Sequence, residues 1–120
     1  MKLVMPLPLA RGNARLHWRT ENRRKHEYWD LCLATVKTKR PSVPLRRALI
    51  TITLYCWNTM DEPGLWERLK WPVDWLVRRG YIEDDSPRVL TYGPVRQAID
   101  RRSLRIEIEL EAIEESGDAA

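Results

Sequence analysis

A chain of 120 residues, 43% of them hydrophobic, has the size of one domain and enough core to fold without disulfide or metal staples. No apolar run approaches the roughly 20 residues of a membrane span, and the opening MKLVMPLPLARG, with one lysine ahead of a proline-broken apolar run, reads as a strand rather than a signal peptide. The net charge of +4 hides an asymmetry: residues 1–60 hold 12 Lys/Arg against 3 Asp/Glu, residues 61–120 hold 9 against 14. A basic half favours a polyanionic partner through phosphate contacts and counterion release. Acids in the other half suit divalent cations held against phosphate. Ordinary solvated surface explains any one of these charges taken alone.

Residues 2–9 read as an edge strand, because Pro6 and Pro8 have no N–H to give a ladder. A turn follows at Arg11–Asn13. Residues 15–39 are predicted to be largely helical, with Tyr28, Leu31, Cys32, Thr35 and Val36 as one apolar stripe. Arg19, Arg23, Arg24 and Lys25 crowd the early turns, where they meet the positive end of the helix dipole. That local cost makes an external anion attractive as a partner. Residues 37–47 form a basic linker with Pro41 and Pro44.

Residues 49–57 alternate strictly and are rich in β-branched side chains, which predicts a strand with Ile50, Ile52, Leu54 and Cys56 on one face. Residues 65–79 read as a second helix, closed by Gly80, with Leu65, Leu69, Val73 and Leu76 as its stripe. Pro72 either starts this helix or kinks it. Two more strands are predicted over 86–95 and 103–113, joined as a hairpin by the polar residues 97–102. The last alternates Leu104, Ile106, Ile108 and Leu110 against Arg105, Glu107, Glu109 and Glu111, so one face is buried and one wet. Residues 114–120 read as a flexible tail. The order predicts an α+β domain over 1–113, with a mixed β-sheet of about four strands and two main helices packed on it.

Cys32 and Cys56 have no metal-ligand spacing and sit in apolar segments, which implies buried free thiols in a cytosolic protein. His17 and His26, nine apart, form no zinc pattern and read as surface or packing residues. The six tryptophans imply core or interface packing, with base stacking as the sharper alternative.

The chemistry concentrates in DEPGLWERLKWPVDWLVRRGYIEDD, residues 61–85. Hydrolysis of a phosphodiester needs charge neutralised on the phosphate and a water made nucleophilic, and clustered carboxylates holding Mg2+ do both. Asp61, Glu62, Asp84 and Asp85 supply oxygen ligands, and Lys70 supplies a cation for phosphate. Composition alone explains the same acids as loop formers. A helix over 66–79 spans about 21 Å at ~1.5 Å per residue. The steps from Gly80 to Asp85 cover at most about 18 Å. Asp85 therefore meets Asp61 only if the helix starts late, the chain doubles back, or a partner chain supplies an acid.

Lys70, Asp74, Leu76, Gly80, Asp84 and Asp85 have the spacing K-x3-D-x-L-x3-G-x3-DD. In this order, and in the opening PLPLARGNARLHW, the chain resembles the RusA family of Holliday junction resolvases. The resemblance covers nearly the whole element order and implies a RusA-like fold. It further implies a small homodimeric Mg2+-dependent endonuclease, with Mn2+ as substitute, that resolves branched DNA in the cytoplasm of a bacterial or phage-infected cell. Carried onto this sequence, it implies catalysis by Asp61, Lys70 and Asp85 and metal binding by Asp61, Glu62, Asp84 and Asp85. Arg15, Arg19, Arg23, Arg24 and Lys25 would grip the DNA backbone. Asp74 would serve structure or orient Lys70. The family's D-x-D-N-L opening is met only at Asp61 and Leu65, because Pro63 and Gly64 stand where the second acid and the asparagine belong. A relative that holds branched DNA without cutting it is the alternative, and an interaction protein with no nucleic-acid role is a third.

Overall fold

A computed structural model of the chain describes residues 1–8 and 18–113. The expected turn at Arg11–Asn13, Arg15, His17 and the tail 114–120 lie outside the described residues. The fold is α+β: a four-stranded mixed sheet with two helices. Its elements in order are β1 (Lys2–Pro6), α1 (Trp18–Thr35), β2 (Ala48–Cys56), α2 (Glu62–Arg78), β3 (Leu90–Ile99) and β4 (Arg105–Ala112). The sheet order is β1-β4-β2-β3. β4 runs antiparallel to both β1 and β2, and β3 runs parallel to β2. No helix among the described residues is long and apolar enough to cross a membrane.

The two-residue alternation carries the sheet. Ala48, Ile50, Ile52, Leu54 and Cys56 of β2 are buried, as are Ile106, Ile108 and Leu110 of β4 and Leu3 and Met5 of β1. Strand partners share a face, so Leu3, Ile52 and Ile108 form one buried row across the sheet. Tyr28, Trp29 and Cys32 of α1 and Leu65, Leu69, Val73, Trp75 and Leu76 of α2 complete this single core. Cys32 and Cys56 are buried free thiols. Burial pushes the Cys32 thiol up to about 12, so it stays protonated and unreactive.

The predicted hairpin of the last two strands is corrected. β2 stands between β3 and β4, and the connection from Asp100 to Leu104 crosses the end of β2. Asp100 donates its N–H to the Cys56 carbonyl at 3.0 Å, and Arg101 Nε donates to the Trp57 carbonyl at 3.1 Å. The physical reason lies in the strands themselves. β2 and β4 alternate over their full lengths and bury an entire face, so they pair with each other. β3 contains Gly93 and Pro94, which suit an edge. The β2–β3 register shifts between Ile50 and Ile52, opposite these two residues. β3 also starts four residues later than expected, because residues 86–90 turn back on themselves through the Ser86 carbonyl.

Both helices differ from expectation at their ends. α1 stops at Thr35, so Val36–Lys39 belong to the linker. α2 starts at Glu62 and continues through Pro72, which is buried in its interior. Its C-terminus is a full Schellman closure: Tyr81 N–H donates to the Leu76 carbonyl at 2.9 Å and Gly80 N–H to the Val77 carbonyl at 3.2 Å. Gly80 has φ +81°, the left-handed value this closure requires.

Candidate active site

The start of α2 is built by Asp61. Its backbone is extended, and its Oδ1 accepts the Gly64 N–H at 2.9 Å, the geometry of an N-cap. A Cβ at residue 64 would stand 2.8 Å from that oxygen, so the Asp61 carboxylate would have to shift slightly to admit one. Pro63 sits in the first turn, where a missing N–H costs nothing. Glu62 is exposed beside it, in the turn where the dipole favours an acid. Pro63 and Gly64, which break the family pattern, are thus the ordinary residues of a helix start.

Further along α2, Trp66, Lys70 and Asp74 recur at four-residue spacing and share one face. Tyr92 of β3 meets Trp66 edge-to-face, with ring centroids 5.3 Å apart. Asp85 reaches the same place from the loop after α2. Partial burial, and then the neighbouring Asp85 charge, raise the Asp74 carboxyl above the usual range, while Lys25 and Lys70 pull it down. Burial, and then the Asp85 and Asp74 charges, raise the Tyr92 phenol. Two carboxylates, two ammonium groups and a phenol on α1, α2, β3 and the loop therefore lie within reach of one another's charge.

The loop that delivers Asp85 is held firmly. After the Schellman closure, Leu45 N–H donates to the Tyr81 carbonyl at 3.1 Å and Glu83 N–H to the Leu45 carbonyl at 2.9 Å. Asp84 then accepts the Asp85 N–H at 2.9 Å through its own side chain. Backbone and side-chain hydrogen bonds from Asp85 and Ser86 hold the exposed Asp84 carboxyl below its ordinary value. The two acids of the pair have separate roles: Asp84 shapes the loop and Asp85 faces α2.

Asp61 precedes Asp74 by thirteen residues, about 20 Å along the helix axis. Among the described residues no three His, Cys, Asp or Glu side chains are grouped to hold a metal ion. The single chain therefore brings Asp85 together with Asp74 and Lys70, and does not gather Asp61, Glu62, Asp84 and Asp85 around one point. Lys25 is the expected basic residue that turns inward. Its ammonium lies 5.0 Å from the Trp29 ring centroid, and Arg78 packs on the same ring at 4.5 Å. Trp29 Nε1 donates to the Trp71 carbonyl at 3.0 Å, which locks α1 to α2 there. Arg23 lies about 160° around the helix from Lys25 at ~100° per residue and faces Glu27 at 3.8 Å. Arg19 and Arg24 are exposed.

Sequence reasoning undervalued Asp74 and missed Tyr92. The four-residue step from Lys70 to Asp74 was the available signal for the first. Tyr92 is placed by its pairing with Ile50, a long-range register that no local pattern reveals.

The pH dependence follows from the sign of the Asp74 shift. Its carboxyl binds a proton more tightly folded than unfolded, so stability falls as pH rises from the ordinary carboxylate value through the raised one. Asp74→Asn is expected to unfold at a higher temperature than the wild type at pH 7, with the gap closing below pH ~3. Thermal melts of both proteins across that range check this.

No protein-family model, curated protein or solved structure matches the chain.

Proposed function

We propose that this protein is a RusA-like endonuclease that cuts branched DNA by Mg2+-assisted phosphodiester hydrolysis, acting as a homodimer. The observation that carries the reading is the electrostatic coupling of Asp74 to both Lys70 and Asp85, three residues of the K-x3-D-x-L-x3-G-x3-DD pattern, with Tyr92 in the same field. The donor set fits the ion. Mg2+ is commonly bound by one or two carboxylates together with substrate phosphate, and the mutual repulsion of Asp74 and Asp85 is what a cation relieves. Asp74 and Asp85 would hold it, and when bound it neutralises phosphate charge and acidifies a water. Lys70, exposed one turn from Asp74, contacts a phosphate oxygen. Lys25 adds positive charge from the α1 side. A two-fold symmetric dimer matches a four-way junction and places paired cuts.

Cleavage of a synthetic four-way junction in Mg2+ or Mn2+ tests this. Symmetric nicks are expected from the wild type. A protein that neither nicks nor binds the junction would end the proposal.

One observation favours a second reading, a relative that binds branched DNA without cutting it: Asp61 is occupied as a helix cap, and the described residues supply only a pair of acids. Asp61→Asn, set beside Asp61→Ala, separates the two roles of that residue. As a cap, it costs about 1 kcal/mol of stability on removal, and Asp61→Asn keeps most of it. Urea denaturation reads that difference, and cleavage by Asp61→Asn is expected to stay near the wild-type rate. Loss of cleavage in a stable Asp61→Asn protein would return Asp61 to the metal site.

A further inference from the structure

An open groove of about 260 Å3 runs between the linker after α1 and the C-terminus of α2. Lys37, Lys39, Arg40 and Arg79 line it, and no acid does. None of the four is ion-paired with a carboxylate among the described residues. The wider linker, residues 37–47, holds five Lys/Arg and no Asp/Glu. Cations gathered this way repel one another, and an anion in the groove removes that cost.

The groove is firmly constructed. Thr38 is held twice: its hydroxyl donates to the Lys2 carbonyl at 2.6 Å, and its carbonyl accepts the Tyr81 hydroxyl. Tyr81 in turn stacks on Trp75 with centroids 5.5 Å apart. Arg40 lies over Gly80 and donates to the Arg79 carbonyl at 3.3 Å. That bond and the Schellman closure occupy carbonyls whose partial negative charge would oppose an anion at this helix end.

We propose that this groove binds the phosphodiester backbone of nucleic acid through Lys37, Lys39, Arg40 and Arg79. The choice of nucleic acid as the polyanion rests on the proposed function. A recessed row of cations admits a narrow strand of phosphates, whereas a flat membrane surface engages charges that protrude. Arg79 stands five residues beyond Asp74, about 7.5 Å along α2 and roughly 140° around it at ~100° per residue, so the groove is a contact separate from the acid pair.

The test is fluorescence anisotropy of a labelled duplex and a labelled four-way junction, titrated with NaCl in the absence of divalent metal. Lys37→Gln with Lys39→Gln is compared with Arg96→Gln with Arg102→Gln, an exposed pair of equal charge. The lysine pair is expected to weaken binding on the order of 50-fold at 0.1 M salt and to shallow the salt slope by about two units. The arginine pair is expected to change both far less. Acetylation of Lys37 and Lys39 in the wild type, read by mass spectrometry, is expected to fall when duplex is added. This readout needs no variant to fold. Unchanged binding by the lysine variant, equal losses in both variants, or unprotected lysines would overturn the proposal. So would wild-type binding to pyrophosphate or to phosphatidylserine vesicles with none to duplex. Intact salt-dependent binding through these lysines without any cleavage leaves this site standing and ends the nuclease reading. Intact cleavage with unchanged binding by the lysine variant does the reverse.

Discussion

Asp85→Asn is expected to lower Mg2+-dependent junction cleavage by more than about 100-fold while leaving junction binding intact or tighter. Changes in the outer shell of a metal site already cost roughly 10- to 100-fold, and Asp85 would touch the ion itself. Tighter binding follows because the substitution deletes a carboxylate that, on the proposed function, would face phosphate, and also lifts the repulsion on Asp74. The neighbouring Asp84→Asn provides the contrast. Asp84 acts through the Asp85 N–H and Ser86, so its loss loosens the loop and lowers cleavage less. Single-turnover cleavage and anisotropy on the same preparations give both quantities. Wild-type cleavage by Asp85→Asn would remove that residue from the site.

Leu76→Ala is expected to destabilise the fold by about 3–5 kcal/mol, the cost of emptying a fully packed leucine site. At this chain length that lowers the melting temperature by roughly 10–20 °C. Leu76 is 0% exposed. Its carbonyl also receives the Tyr81 N–H, so its position sets where the chain leaves α2. A cavity here loosens both the core and the loop that carries Asp85, and cleavage is expected to become temperature-sensitive before the protein melts. Urea denaturation with an unchanged m-value checks the first effect. A loss under about 1 kcal/mol would mean that α2 does not seat on the sheet through this residue.

What the sequence disclosed depended on how local the deciding interaction was. β2 and β4 were legible because alternation is written in consecutive residues, and the Gly80 stop because a Schellman closure is complete within six. Their partners were not legible. Nothing near Gln97–Arg102 says that β2 intervenes between β3 and β4, and a polar connection between two strands reads as a hairpin by default. The same division applies to the site. Lys70 and Asp74 share a face by helix geometry alone, and the order of Lys70, Asp74 and Asp85 was visible at once. Asp61 carried two readings, ligand and cap, that an Asp before Pro-Gly cannot separate by itself. The hydrogen bond to Gly64 favours the cap. Tyr92 required the β2–β3 register, which exists only after the sheet has formed.

The position of β4 sets the order of events during synthesis. Lys2 pairs with Glu109, so the first of the described strands waits for the last of them before it has any strand partner. Until then β2 also lacks its antiparallel neighbour and presents a bare, β-branched edge. A ribosome-bound chain stopped before Arg105 therefore holds two helices, an unclosed sheet and an adhesive edge. Closure depends on contacts more than 100 residues apart in sequence, which places this small protein among slow folders for its size. Nascent chains of increasing length are expected to remain protease-sensitive until residues 105–112 clear the exit tunnel, and then to become resistant in a single step.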